Sequence, residues 1–286
     1  MGWYKLVFRQ EQPIHIGSFK WGVIKETAIF IPGQTMWGAL TNHFSIFFKD
    51  EAAKLDKDET SSLFEEITNF YPSFDANGTK LLKPSYKEGM FCFDINSNCL
   101  YEDMFRFYLV DNIIQTAIEP LSRRAKDESL HELDFILPNP KQEVPFKDFS
   151  IEKHEQIHWI GFVNLKEQEH ENYLKNMKNR PIYIGGDVRY GYGELSLIEV
   201  IEVSDDRTKD EWQLEKIPQN SPSLHFIDLN LVKEYEVEGE IILLTKFKFG
   251  KNTPVIEEAD FFLNVGSKVE KEITDFKIRL GRVVKR

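Results

Sequence analysis

Ile184-Gly185-Gly186-Asp187-Val188-Arg189-Tyr190-Gly191-Tyr192-Gly193-Glu194-Leu195 sets four glycines and an arginine between two runs of strand-forming residues. Glycine takes positive φ and lets another backbone come close, so this turn suits contact with phosphates or a second chain. Arg189 supplies charge, and Tyr190 and Tyr192 supply flat faces. The stretch lacks the Gly-Lys-Ser/Thr of a phosphate-binding loop and the spaced glycines and following helix of a dinucleotide site. A tight β-turn with no ligand is the alternative reading.

Outward from this loop, Pro181 to Ile184 reads as a strand entering it and Leu195 to Val203 as a strand leaving it. Ile157 to Leu165 predicts a strand and Glu167 to Lys178 an amphipathic helix. Near the start, Tyr4 to Arg9 alternates as a strand should, and a polar-aromatic loop leads to Ile29-Phe30-Ile31. Pro32-Gly33-Gln34-Thr35 then opens a helix with Met36, Trp37, Leu40, Phe44 and Phe47 on one face. A second helix is predicted over Thr60 to Phe70, ending before Pro72. Met90 to Ile95 reads as a strand, Asp103 to Asn112 fits either state, and Ile113 to Ile118 reads as extended. Strand, helix, strand, then strand, helix, strand is the order of a ferredoxin-like α+β fold. Glu119 to Gln156 interrupts it as a charged, proline-punctuated projecting hairpin. After a polar linker from Ser204 to Ser223 come strands at Leu224–Leu231, Glu240–Phe249, Asp260–Phe262 and Phe276–Leu280, either a second sheet or an extension of the first.

Composition narrows the function classes. The 286 residues are 41% hydrophobic, with 23 Phe and 10 Tyr, which excludes general disorder. A net charge of −11 counts against non-specific nucleic-acid binding, so any basic surface must be local. Lys20, Lys25, Arg123, Arg124, Lys126 and Arg189 fall in turn-like segments, while acidic residues crowd elsewhere. Cys92 and Cys99 are too few and too isolated for a disulfide framework or a four-ligand zinc site, so a reducing cytoplasm is the expected location. No apolar run approaches the roughly 20 residues that span a bilayer, and the amino terminus lacks an export signal.

Three segments together resemble the CRISPR-associated RAMP proteins. Gln12-Pro13-Ile14-His15-Ile16-Gly17 with Ile31-Pro32-Gly33-Gln34-Thr35-Met36-Trp37-Gly38-Ala39-Leu40 is similar to the family's "PLHIG … IPGSSLRGAL" opening. Thr116 to Ile136, with its Arg-rich turn before an alternating strand, looks like the family's thumb. Gly185 to Gly193 resembles the "GGxxxxGxG" loop. Order and spacing agree over roughly residues 4 to 203, and the final third matches loosely.

The resemblance implies an RRM-like, ferredoxin-type α+β core over 1–203 with a thumb hairpin at about 119–156, and a strand-rich extension or sub-domain over 204–286. It implies an RNA-binding structural subunit of a type III CRISPR effector complex in antiviral defence. The implied partners are guide RNA, sister RAMP subunits and the large signalling subunit, without a membrane, cofactor or metal. The implied RNA contacts are His15, Lys20, Lys25, Arg123, Arg124, Lys126 and the loop residues Gly185, Gly186, Arg189, Tyr190, Gly191, Tyr192 and Gly193. Where RNA-cleaving backbone subunits carry the aspartate of "GAID", this chain reads Trp21-Gly22-Val23-Ile24-Lys25. A lysine cannot bind metal or accept a proton as that carboxylate does, and Glu26 faces the other way if the segment is extended. A non-cleaving subunit, such as one capping the guide's 5′ handle, is the expectation. A guide-processing endoribonuclease and an RNA-free scaffold are the alternatives. His15 is the one catalytic candidate, but no second positioned acid–base group accompanies it. His154 and His158 lie four apart, a metal-compatible spacing on a helix, but Ile157 to Val163 reads as a strand, so a metal site is not expected, and His43 reads as a surface or boundary residue.

Overall fold

The structure is a computed structural model that describes residues 2–49, 62–166, 168–178, 180–249 and 253–286. Its centre is an antiparallel sheet with spatial order Pro181–Tyr183, Glu194–Glu202, Gly2–Gln10, His158–Leu165 and Tyr71–Ser73. Helix α1 (Gly33–Phe47) lies between the first strand and Tyr71–Ser73 in the chain. Among the described residues three further α-helices follow: α2 (Glu102–Leu109), α3 (Gln168–Met177) and α4 (Asp206–Glu211).

Both faces of this sheet are buried, for different reasons. Tyr4, Leu6 and Phe8 alternate onto the side of α1 and α3, where Tyr4 bonds to Glu171 and the Tyr173 ring meets Phe44 and Phe48. Val7, Ile160 and Phe162 point the other way, and Phe162 lies 4.5 Å from Trp212. Each fully buried large apolar side chain contributes about 1.5–3 kcal/mol, so the two-sided core anchors the strand that enters the arm described below. Gly161 admits the Phe70 ring, whose atoms would lie 2.6 Å from a Cβ.

Four sequence expectations are corrected. The helix predicted to reach Phe70 does not: residues 65–70 are irregular rather than helical, Ile67 bridges to Val163, and Phe70 bridges to Ile31. Phe64, Ile67 and Phe70 have helical spacing, but each is buried separately by a tertiary contact. Thr60 and Ser61 lie outside the described residues. The loop after Gly17 is a hairpin, Gly17–Trp21 with Ile24–Thr27. The 204–223 linker contains α4, capped by Asp205 accepting from the Thr208 N–H at 2.7 Å, and then buries Trp212, Leu214 and Ile217. The cysteines are not isolated: the hairpin Met90–Ile95/Asn98–Tyr101 brings Cys92 and Cys99 together, with Cα atoms 5.9 Å apart, and they form a disulfide.

A second five-stranded sheet has the order Ile241–Phe249, Pro254–Leu263, Phe226–Asp228, Arg282–Lys285 and Phe276–Arg279. It is fastened to the central one through Asn69. That side chain accepts from the Gly33 N–H at 2.9 Å and donates to the carbonyls of Leu224 and Gly281, each at 3.1 Å. Among the described residues no helix is long and apolar enough to cross a membrane.

Candidate nucleic-acid interface

A four-stranded sheet stands apart from the central one, with order Gly17–Trp21, Ile24–Thr27, His131–Ile136 and Val110–Gln115. The projecting hairpin is therefore 110–136 rather than 119–156. Its tip is a compact exposed turn in which Ile118 bridges to Ala125 and Lys126 N–H donates to the Ala117 carbonyl. Residues 137–157 fold back, burying Val144 and Ile151.

Register assigns the side chains of this arm to two faces. Lys20 is opposite Lys25, Lys25 opposite Leu133, and Leu133 opposite Ile113, so these four share one face. Phe135, two residues beyond Leu133, lies on that face too, with its ring 5.3 Å from Tyr192 of the glycine loop. Lys20, Lys25 and the loop thus share one side of the molecule. Arg123, Arg124 and Lys126 sit at the tip, roughly 15–20 Å farther along six-residue strands. Among the described residues none of these cations, nor Arg189, forms an ion pair, whereas Arg9, Lys80, Arg106 and Arg279 do. Glu26 points to the opposite face from Lys25, and Arg106 holds it there by an ion pair.

Most of the loop's close approaches are made to its own chain. Gly185, Gly191 and Gly193 have positive φ, whereas Gly186 does not. A Cβ on Gly185 would lie 2.0 Å from the His15 carbonyl oxygen, and one on Gly193 2.1 Å from that of Ile184. The N–H groups of Gly186, Gly193, Tyr190 and Gly191 donate to His15, Pro13, Asp187 and Val188. The loop therefore offers a ligand its surface and side chains more than a row of free amides. Arg189, Tyr190 and Gly191 are exposed on its short 3₁₀ turn. Burial and Asp187 push the Tyr192 hydroxyl above its ordinary pKa.

His15 is 6% exposed. Its Nδ1 lies 2.7 Å from the Asp134 carbonyl and its own carbonyl holds Gly186, so it clamps the loop to the arm. His43 is buried, not at the surface, with Nδ1 3.0 Å from the Tyr173 hydroxyl; burial pushes it down to about 4. His154 lies in a turn and His158 in a strand, and among the described residues no three potential metal ligands converge. The shared face of Lys20, Lys25 and Tyr192 escapes a reading of glycines alone; alternation in Phe19-Lys20-Trp21 and Ile24-Lys25-Glu26 is the signal that carries it.

No family model matches the chain, and no curated protein is similar to it in sequence. Among solved structures, it is similar to a chain in the cryo-EM structure of the type III-B Cmr-beta bound to cognate target RNA and AMPPnP. The TM-score is 0.61 at 13% identity, over 93% of this chain and 86% of that one. The Cmr-beta bound to cognate target RNA alone matches with TM-score 0.59, again at 13% identity and with the same coverage. The chain shares the fold of these Cmr-beta chains.

Proposed function

We propose that this chain is an RNA-binding, non-cleaving subunit of a type III CRISPR effector complex, gripping guide RNA beside sister subunits and a large signalling subunit, with capping of the guide's 5′ handle as its place. Its core is ferredoxin-like over 1–203, the 110–136 arm is its thumb, and 204–286 is an extension. The observation that carries this reading is the gathering of Lys20, Lys25 and the glycine loop on one side, with unpaired arginines at the loop and tip, on a chain of net charge −11. The fold shared with Cmr-beta chains supports it.

Single-stranded RNA suits such a surface: cations track phosphates while Tyr190 and Tyr192 offer faces for bases. His15 enters as a positioning residue, because its ring is buried, its Nδ1 lies against the Asp134 carbonyl and its own carbonyl holds Gly186. That burial, together with Lys25 in place of a carboxylate, speaks against cleavage by this chain. The test is titration of guide RNA into the purified chain at several salt concentrations, followed by incubation with repeat and target RNA with and without Mg²⁺. Salt-dependent binding without cleavage is expected. Site-specific cleavage abolished by His15→Ala would establish the nuclease instead, and absence of binding in chain and complex alike would leave a scaffold.

A further inference from the structure

The arm sheet has a second face whose chemistry opposes the first. Trp21 is opposite Ile24, Ile24 opposite Glu132, and Glu132 opposite Ile114. Paired residues point to the same side, so all four share this face. Phe19 joins them, its ring 6.2 Å from the indole. Phe19, Trp21 and Ile114 are 62%, 66% and 67% exposed, and three large apolar groups together on one sheet face mark a site of association rather than scattered surface residues.

Carboxylates surround them. Arg106 is ion-paired with Glu26 and Glu102, while Glu132 and Asp134 alternate onto the same face from the neighbouring strand. Four carboxylates around one guanidinium leave a surplus of three negative charges. The Trp21 indole N–H donates to Glu26 at 3.1 Å, which ties the aromatic patch into this cluster. Lys20 and Lys25 lie on the opposite face.

The charge selects the occupant. Phosphates are repelled by surplus carboxylates, so nucleic acid belongs on the other face. A second copy docked through the same face would set surplus against surplus. The carboxylates do not converge as a metal cluster.

We propose that this face docks a partner protein through a segment whose Lys or Arg side chains flank apolar residues. The apolar side chains cover Phe19, Trp21 and Ile114, and the cations meet Glu132 and Asp134. The arm is then a two-sided wedge, with RNA on one face and protein on the other. The inference rests on the proposed function only in that the chain works among protein neighbours.

A benzophenone photo-crosslinker is placed at Ile114 and, separately, at Lys25, in the complex assembled with guide RNA and the other effector subunits. The Ile114 position is expected to yield a protein–protein adduct mapping to a basic segment. An adduct with RNA or with a second copy, or no adduct in a complex that retains the chain, overturns the proposal. If Lys25 yields no RNA adduct while Ile114 yields the protein one, the RNA reading fails and this one stands. In parallel, Trp21→Ser/Glu132→Lys should lower incorporation into the complex at least tenfold, with the melting temperature and RNA affinity of the isolated chain unchanged. Reversing a cation in the cross-linked segment should restore incorporation to Glu132→Lys. Wild-type incorporation of the double variant overturns the proposal.

Discussion

Gly185→Ala separates a loop built against its own chain from one built for a ligand. The added methyl would meet the His15 carbonyl oxygen at 2.0 Å, and an ordinary contact begins near 3.4 Å, so that carbonyl must retreat by about 1.4 Å. The retreat breaks the Gly186 N–H to His15 bond, now 2.9 Å, at about 1 kcal/mol. Backbone strain at φ +72° adds about 1 kcal/mol, and overpacking adds about 1–3 kcal/mol. The total is on the order of 3 kcal/mol or more, or a fall in melting temperature of roughly 6–12 °C for a domain approaching this size. Gly186→Ala differs: its φ is ordinary, and its Cβ meets only the His15 ring, at 3.2 Å. It should cost below about 1 kcal/mol and is the variant expected to fold normally while weakening RNA binding or assembly. Thermal unfolding of the isolated chain, measured beside guide affinity, reads both effects. An unchanged melting temperature for Gly185→Ala would refute the clamp. Binding losses that always track stability would refute the ligand role of the loop.

Further outcomes follow from other contacts. Arg123→Ala/Arg124→Ala/Arg189→Ala should weaken guide binding and flatten its salt dependence by about 0.7 per lost phosphate contact on single-stranded RNA; an unchanged slope makes these arginines ordinary surface residues. Asn69→Ala strands the Gly33 N–H, while the Leu224 and Gly281 carbonyls keep the Tyr71 hydroxyl and the Phe226 N–H as donors; it should destabilise the chain by about 1–3 kcal/mol in urea unfolding. His43 and His225 are held neutral by burial, each pushed down to about 4. Between pH 6.5 and 4 the unfolded chain therefore binds more protons, so stability present above about 6.5 is lost as pH falls through that window. His43→Gln should flatten this fall; an identical pH profile would place the proton elsewhere.

Sequence pattern carried the architecture where local and tertiary preferences agree. Tyr4 to Arg9 alternates because Tyr4, Leu6 and Phe8 share a fully buried face while Lys5 and Arg9 on the other reach solvent, and Met36, Leu40 and Phe44 repeat because α1 lays one stripe on the core. It misled where burial imitated periodicity. Phe64, Ile67 and Phe70 are spaced as in a helix, yet each fills its own place along an irregular segment. The polar run after Ser204 concealed a capped helix followed by Trp212, whose burial depends on Phe162 far away in sequence. The candidate site was legible residue by residue, because glycines and cations announce themselves. Its two-faced arrangement was not: it needs the strand register, and the parallel pairing of Ile24–Thr27 with His131–Ile136 leaves no mark in either strand. Nor did the glycines tell that Gly185 serves His15.

The Asn69 side chain also sets an order in time. Its bond to Gly281 joins positions 212 residues apart, and at synthesis rates of about 5–20 residues per second the interval between them is roughly 10–40 s. The arm and the glycine loop are translated well before the turn at Gly281, against which α1 begins, has left the ribosome. During part of that wait Tyr71 lacks the Trp212 ring and the Leu224 carbonyl that cover it. The nascent chain thus holds its arm and glycine loop before it holds the frame that Asn69 fastens.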